Sequence, residues 1–195
     1  MRNERETPAG RLAQWMDELE RFDLPDWESL PQLDLYMDQV ILLLTRYLSP
    51  MDRDSDERSI TASIINNYVR MKVVPPPVKK RYSRVHLAYL VIICILKQSL
   101  SISCIQRMLP SDHSEEAARE LYTQFLQQYR RSIDFIRGIP VKGDRMALEA
   151  GGELLVESGD GLILTTAILS TLSKSLTEFL LRPEDTDEDE DFDDD

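Results

Sequence analysis

The stretch Thr61-Ala-Ser-Ile-Ile-Asn-Asn-Tyr-Val-Arg70, followed by Val73-Val-Pro-Pro-Pro77, Lys79-Lys-Arg-Tyr-Ser83, a long apolar run and Leu100-Ser-Ile-Ser-Cys-Ile-Gln-Arg-Met-Leu109, decides how this chain folds. Thr61 is an N-cap type of residue, so a short helix is expected over Ala62 to Met71. Its Ile64, Ile65 and Tyr68 face inward, and Ser63, Asn66, Asn67 and Arg70 face outward. Pro75 to Pro77 forbid helix and force a rigid, extended connector. Val78 to Tyr82 is the one strand candidate. Ser83 is placed to cap the next helix. Leu87, Leu90, Val91 and Cys94 share one of its faces, and Ile92, Ile93 and Ile95 make it apolar nearly all round. Such a helix belongs at the centre of a domain. Ser101 caps a further short helix carrying Ile105, Met108 and Leu109.

Upstream, Leu12, Trp15, Met16, Leu19 and Phe22 recur at helical spacing, and Pro25 ends that helix. Trp27 pins the connector Leu24 to Pro31 to the core. Asp34 is placed to cap a helix whose Val40, Ile41, Leu44, Tyr47 and Leu48 form an apolar face. Pro50 stops it, and Met51 to Arg58 is a charged loop with four acids. Downstream, Asp112 with Glu115 resembles a capping box. It starts a helix to about Arg137, with Leu121, Phe125, Ile133 and Ile136 inward. Gly138, Pro140 and Gly143 break the chain. One more helix is expected over Arg145 to Glu157, and a last one from about Gly161 to Leu181. There Leu162, Leu169, Leu172, Leu176 and Phe179 form a stripe that serves either the chain's own core or a dimer seam. The expected fold class is all-α. Its parts are an N-terminal amphipathic helix (1–23), a head domain (24–110), a helical module (111–182) and an acidic tail (183–195) that buries too little to order itself.

The formal charge of −12 is unevenly distributed. Pro183 to Asp195 holds ten acids and no base, and without them the chain carries 25 acids against 23 bases. From Ser59 to Ser111 there are eight Lys and Arg and no Asp or Glu. Core packing does not produce such polarity; a counter-charge outside the domain does. No apolar run reaches the roughly 18 residues of a membrane span. Met1-Arg2-Asn3-Glu4-Arg5-Glu6 has no apolar stretch behind it, so no secretory leader and a cytoplasmic location are expected.

Cys94 and Cys104 lie in apolar surroundings and read as buried, reduced thiols. With two histidines and no ligand-like spacing, neither a metal nor a cofactor is expected. There is no phosphate-binding Gly loop, no nucleophile elbow, and no carboxylate at helical spacing from His86. The acidic tail lacks the Gly and closing Glu of a calcium loop. No catalytic residues are assigned, and the chain is expected not to be an enzyme.

The order of elements resembles the DNA-binding head of MerR-type regulators. Those have a short recognition helix ending in Tyr, a proline-bearing segment, an Arg-Tyr wing (here Arg81-Tyr82), a Ser-capped long helix and a Leu-Ser-Ile helix (here from Leu100). In more detail, Asp34-Leu-Tyr-Met-Asp-Gln-Val40, Ile65-Asn-Asn-Tyr-Val69 and His86-Leu-Ala-Tyr-Leu90 resemble the bacterial proteins of domain-of-unknown-function family eighteen-thirty-six, over about residues 24 to 109. The MerR likeness implies a helix-turn-helix head on double-stranded DNA. It also implies a homodimer on a two-fold site, held through Leu162 to Phe179, and regulation by a small-molecule or protein effector.

The residues fit that chemistry independently. Asp34 to Leu48 is a supporting helix, and Asn66, Asn67 and Arg70 have the side chains that read adenine and guanine edges. Thr61 and Ser63 add hydroxyls at the helix start. Lys72, Lys79, Lys80, Arg81 and Arg84 are placed to meet phosphates, and Tyr82 to donate to one. Two departures stand out. Between Val74 and Arg81 there is room only for a short wing or none, and the acidic loop Met51 to Arg58 lengthens the turn between the two helices. The rival reading is a non-catalytic adaptor that keeps the fold and meets an acidic protein instead. A third, an enzyme, requires a polar pocket with convergent carboxylates.

Overall fold

The structure is a computed structural model that describes residues 14–15, 17–18, 23–48, 60–137, 141–142, 145–146 and 159–180, with the side chains of the last stretch described within 164–176. Among them the chain is mostly helical. The elements are a 3-10 turn Trp27–Ser29, α1 Met37–Leu48, α2 Ala62–Arg70, α3 Arg84–Leu96, α4 Ile102–Met108, α5 Glu115–Arg137, the two-residue strands β1 Val141–Lys142 and β2 Arg145–Met146, and α6 Gly159–Leu180.

Helix α3 is the axis of the fold. Ten of its residues, His86 to Ile93 with Ile95 and Leu96, are buried. A helix with no polar face has no side for water, so the others surround it: α1, α4, α5 and α6 all pack on α3. Val40, Leu44 and Leu48 of α1 meet it on one side, and Tyr122, Phe125, Tyr129 and Ile133 of α5 on another. The core is one cluster that runs from Trp15 to Leu172. Each fully buried Leu or Ile contributes roughly 1.5–3 kcal/mol.

The connector after Asp23 is fastened to α5. Trp27 is buried and lies 6.3 Å from the Tyr122 ring. The Tyr122 hydroxyl donates to the Pro25 carbonyl at 2.8 Å, and burial pushes its pKa well up. Arg130 meets both Asp23 and Asp26 at 3.0 Å, and Arg119 meets Glu28 at 2.6 Å. Part of the acidic charge outside residues 59–111 is therefore matched by arginines of the same molecule.

Helix α6 closes the far side through hydroxyl groups. Thr165 donates to Gln128 Oε1 (3.2 Å), and Thr171 donates to its own helix at the Ala167 carbonyl while sharing a hydrogen bond with Ser99 (2.8 Å). Leu172 is fully buried in this core, and Leu169 and Leu176 pack half-buried against it. Of the two uses open to the stripe, these three residues serve the chain's own core, so Leu172 has no surface left for a seam. The side chains of Leu162 and Phe179 lie outside the described residues.

Several local expectations shift. The start of α1 is capped at Tyr36 rather than at Asp34: Gln39 Oε1 reaches back to accept from the Tyr36 N–H at 2.9 Å. The start of α5 is held by Ser114, whose Oγ accepts from the Ala117 N–H, while Asp112 braces Ser114 from behind at 2.8 Å. Arg145 and Met146 pair antiparallel with Lys142 and Val141 instead of opening a helix. Residues 147–157, the loop 51–58 and the tail 183–195 lie outside the described residues, as do Leu12, Met16, Leu19 and Phe22. Cys94 and Cys104 are half-buried rather than buried, and no disulfide occurs among the described residues. Hydrogen bonds from Ser101 and Arg107 hold the Cys104 thiol below its usual pKa. Among the described residues no helix is long and apolar enough to cross a membrane, and no cluster of His, Cys, Asp and Glu is fit to hold a metal.

Candidate functional site

Helix α2 is amphipathic and sharply bounded. The Ile64 N–H donates to Thr61 Oγ1 at 3.3 Å, which satisfies one of the orphan donors of its first turn. Ile65 and Tyr68 are buried, and burial pushes the Tyr68 hydroxyl up to about 12. Ser63, Asn66 and Arg70 are exposed. Asn67 departs from the expectation of a free reading group. It is half-buried, its amide nitrogen donates to Met71 Sδ (3.6 Å), and its Oδ1 accepts from Arg70 at 2.6 Å. Asn67 therefore positions the Arg70 guanidinium.

The helix ends in a Schellman motif. The Lys72 N–H donates to the Val69 carbonyl and the Val73 N–H to the Tyr68 carbonyl, both at 3.0 Å. The residue at the turn of that motif is usually glycine because its φ is positive; here it is Lys72, with φ 58°. The proline segment follows, and then the chain doubles back at once. The Val78 N–H donates to the Arg81 carbonyl (3.2 Å) and the Arg81 N–H to the Val78 carbonyl (2.9 Å). Between them Lys79 (φ 51°) and Lys80 (φ 62°) both take left-handed backbone, the pattern of a type I′ turn. Where a short wing or none is expected, the chain makes a hairpin of minimal length. Its return strand is paired on the other side, where Tyr82 and Leu35 exchange both backbone hydrogen bonds at 2.8 Å.

Left-handed backbone costs a side chain with a Cβ about 1–2 kcal/mol relative to glycine. The non-glycine residues with positive φ among the described residues are Lys72, Lys79 and Lys80. All three are exposed. In each case the left-handed residue is therefore an exposed cation.

The base of the hairpin is anchored by His86. Its Nδ1 accepts from the Ser83 N–H (3.0 Å), its Nε2 faces the Pro76 carbonyl (3.4 Å), and the Tyr82 ring meets it edge-on at 5.4 Å. Accepting at Nδ1 fixes the neutral ring with its proton on Nε2. Burial lowers the His86 pKa. Arg81 is exposed and lies over Tyr36, 4.5 Å from the ring centre, with a 2.8 Å hydrogen bond to the Tyr36 hydroxyl.

Two of the phosphate candidates belong to the fold instead. Tyr82 is only 3 % exposed and sits in the core. The Arg84 side chain is 11 % exposed; it donates to the Leu30 carbonyl (3.1 Å), lies over the Trp27 ring and meets Glu28 at 3.6 Å. Both are corrected to structural residues, because the connector before α1 covers the N-terminal turn of α3.

The polar face of α2 forms one wall of an open cleft of about 1100 Å³. Ser63, Asn66, Asn67 and Arg70 stand on that wall, and Lys97, Gln98 and Lys174 stand across from them, from the end of α3 and from α6. Apolar groups, among them Leu48, Ile64 and Ile102, complete the lining. Lys174 Nζ donates to the Gln98 carbonyl at 2.8 Å. Among the described residues the lining holds three cations and no carboxylate. Lys97, Gln98 and Lys174 were invisible as site residues, because two of them follow an apolar helix and the third lies far along the chain.

Residues 25–130 match the family described as Domain of unknown function (DUF1836). The chain belongs to this family. The DUF1836 match runs past the expected head boundary at residue 110 and ends inside α5 at Arg130, the residue that clasps Asp26. The DUF1836 segment therefore closes on itself, with α6 packed against it from outside the match. No curated protein and no solved structure matches the chain.

Proposed function

We propose that this chain is a DNA-binding regulator of transcription whose head is a MerR-like winged helix-turn-helix. Helix α1 supports, α2 reads, and the Val78–Arg81 hairpin is the wing. The observation that carries the reading is the set of three exposed lysines in left-handed backbone: Lys72 at the end of α2, and Lys79 and Lys80 at the hairpin tip. Glycine in their places would relieve strain, and a use for the cation accounts for three lysines standing there instead. The acid-free stretch from Ser59 to Ser111 agrees with a polyanionic partner. In this reading Asn66 and Arg70 meet base edges, Asn67 holds Arg70 in place, Thr61 and Ser63 flank the entry of α2, and Lys72, Lys79, Lys80 and Arg81 meet phosphates. The chain acts in the cytoplasm as a homodimer under an effector, binding rather than catalysing.

Fluorescence anisotropy with a mixed-sequence duplex, repeated across salt concentrations, tests this. Each phosphate contact contributes a slope of about −0.9 in log K against log salt. Neutralising both hairpin lysines, Lys79→Ala with Lys80→Ala, is expected to reduce the slope by about two contacts with the fold unchanged. Wild-type binding that ignores salt, or that the double variant leaves intact, sinks the proposal.

A specific observation favours a second reading. The face that would read bases lines a concave cleft with apolar groups beside its cations, a shape that also suits an acidic peptide of a partner protein.

A further inference from the structure

We infer that the cleft between α2 and α6 is the docking site of the chain's own acidic segment, residues 183–195. The docking stands on the cleft and the segment alone; its consequence for DNA rests on the function proposed above.

Three observations meet here. The first is charge: Arg70, Lys97 and Lys174 line the cleft with no carboxylate among the described residues, and the segment carries ten acids and no base. The second is reach. Lys174 stands on α6, whose last residue is Leu180, so the cleft wall is about 9 Å from the point where the segment departs. The twelve residues from there to Phe192 span up to about 40 Å when extended. The third is the occupant's composition. Phe192 is a lone aromatic between Asp191 and Asp193, and Leu48, Ile64 and Ile102 offer it an apolar seat within the same cationic cleft. Uniform repulsion of DNA needs only acids; an aromatic among them fits a seat.

An occupied cleft covers Asn66, Asn67 and Arg70, the wall that α2 would turn toward base pairs. The segment is then an internal competitor, tethered at high local concentration. Duplex binding releases it, and an effector that displaces it opens the head.

The test uses the full chain. One variant carries the ten acids of residues 183–195 as their amides; a second carries Phe192→Ser, which leaves the charge unchanged. Nuclear magnetic resonance of the side-chain amides of Asn66, Asn67 and Gln98 reports the cleft, and anisotropy with a mixed-sequence duplex reports binding. The expected result is that both variants shift the three amide signals relative to wild type. At low salt the amide variant is expected to bind the duplex about tenfold more tightly and Phe192→Ser several-fold more tightly. Unmoved amide signals in both variants overturn the docking, even if the amide variant binds DNA better, since long-range repulsion alone does that. Shifted signals in a chain that binds no duplex keep the docking and remove the DNA function.

Discussion

Arg84 and the pair Lys79–Lys80 lie within a few residues of one another, in the same acid-free stretch, yet the fold treats them in opposite ways. Arg84 is drawn under the connector, with the Leu30 carbonyl, the Trp27 ring and Glu28 around it. Lys79 and Lys80 stand exposed at a turn whose backbone neither side chain favours. A run of positive charge in a sequence therefore mixes two populations. One is matched inside the molecule and holds it together; the other is displayed against local preference.

Arg84→Ala probes the first population and carries the largest expected effect. It strands the Leu30 carbonyl and removes the guanidinium from Trp27. A loss of about 1–3 kcal/mol in urea denaturation is expected, while under the proposed function the salt slope of duplex binding is expected to stay as in wild type. A stable variant with a reduced slope would move Arg84 into the second population.

The hinge between the two populations is His86, which anchors the hairpin base. Its folded pKa is depressed by burial below the ordinary 6.5. Below that ordinary value the unfolded chain takes up a proton that the folded chain refuses. Stability is therefore expected to fall as pH drops through about 6.5, by up to about 1.4 kcal/mol per pH unit, and to level off below the folded value. Denaturation of the His86→Gln variant across the same range is expected to lose this component. An unchanged pH profile would free the anchor from that role.

The smallest effects concern the displayed lysines. Lys72→Gly and Lys80→Gly each relieve positive φ and are expected to stabilise by about 0.5–1 kcal/mol, less the entropy that glycine adds to the unfolded chain. Duplex binding is expected to weaken in both. Stabilised variants that bind as well as wild type would erase the contrast with Arg84.

Much of the fold was legible because it rests on local rules. Thr61, Ser83 and Ser101 bound their helices as cap chemistry requires, and the all-apolar run of α3 announced the centre. What escaped depended on partners distant in sequence. Tyr82 reads as an aromatic beside cations until Leu35 pairs with it and buries it. The fate of Arg84 was set by the connector around Trp27. The Val78–Arg81 hairpin was anticipated only as a strand candidate with room for a short wing or none, because two lysines stand where turn chemistry calls for Asn-Gly. The β1–β2 pair was hidden by a segment whose composition suits a helix equally well. At the site, the outward face of α2 followed from periodicity, while the opposite wall of the cleft required α6 to be in place.

The clasp at Arg130 has an evolutionary implication. It joins the beginning and the end of the family segment through carboxylates more than a hundred positions upstream in the chain. A unit whose entrance and exit are neighbours tolerates additions at either side, since new sequence can depart without threading through what already exists. Sequence appended after the clasp can therefore change without a rearrangement of what the clasp encloses.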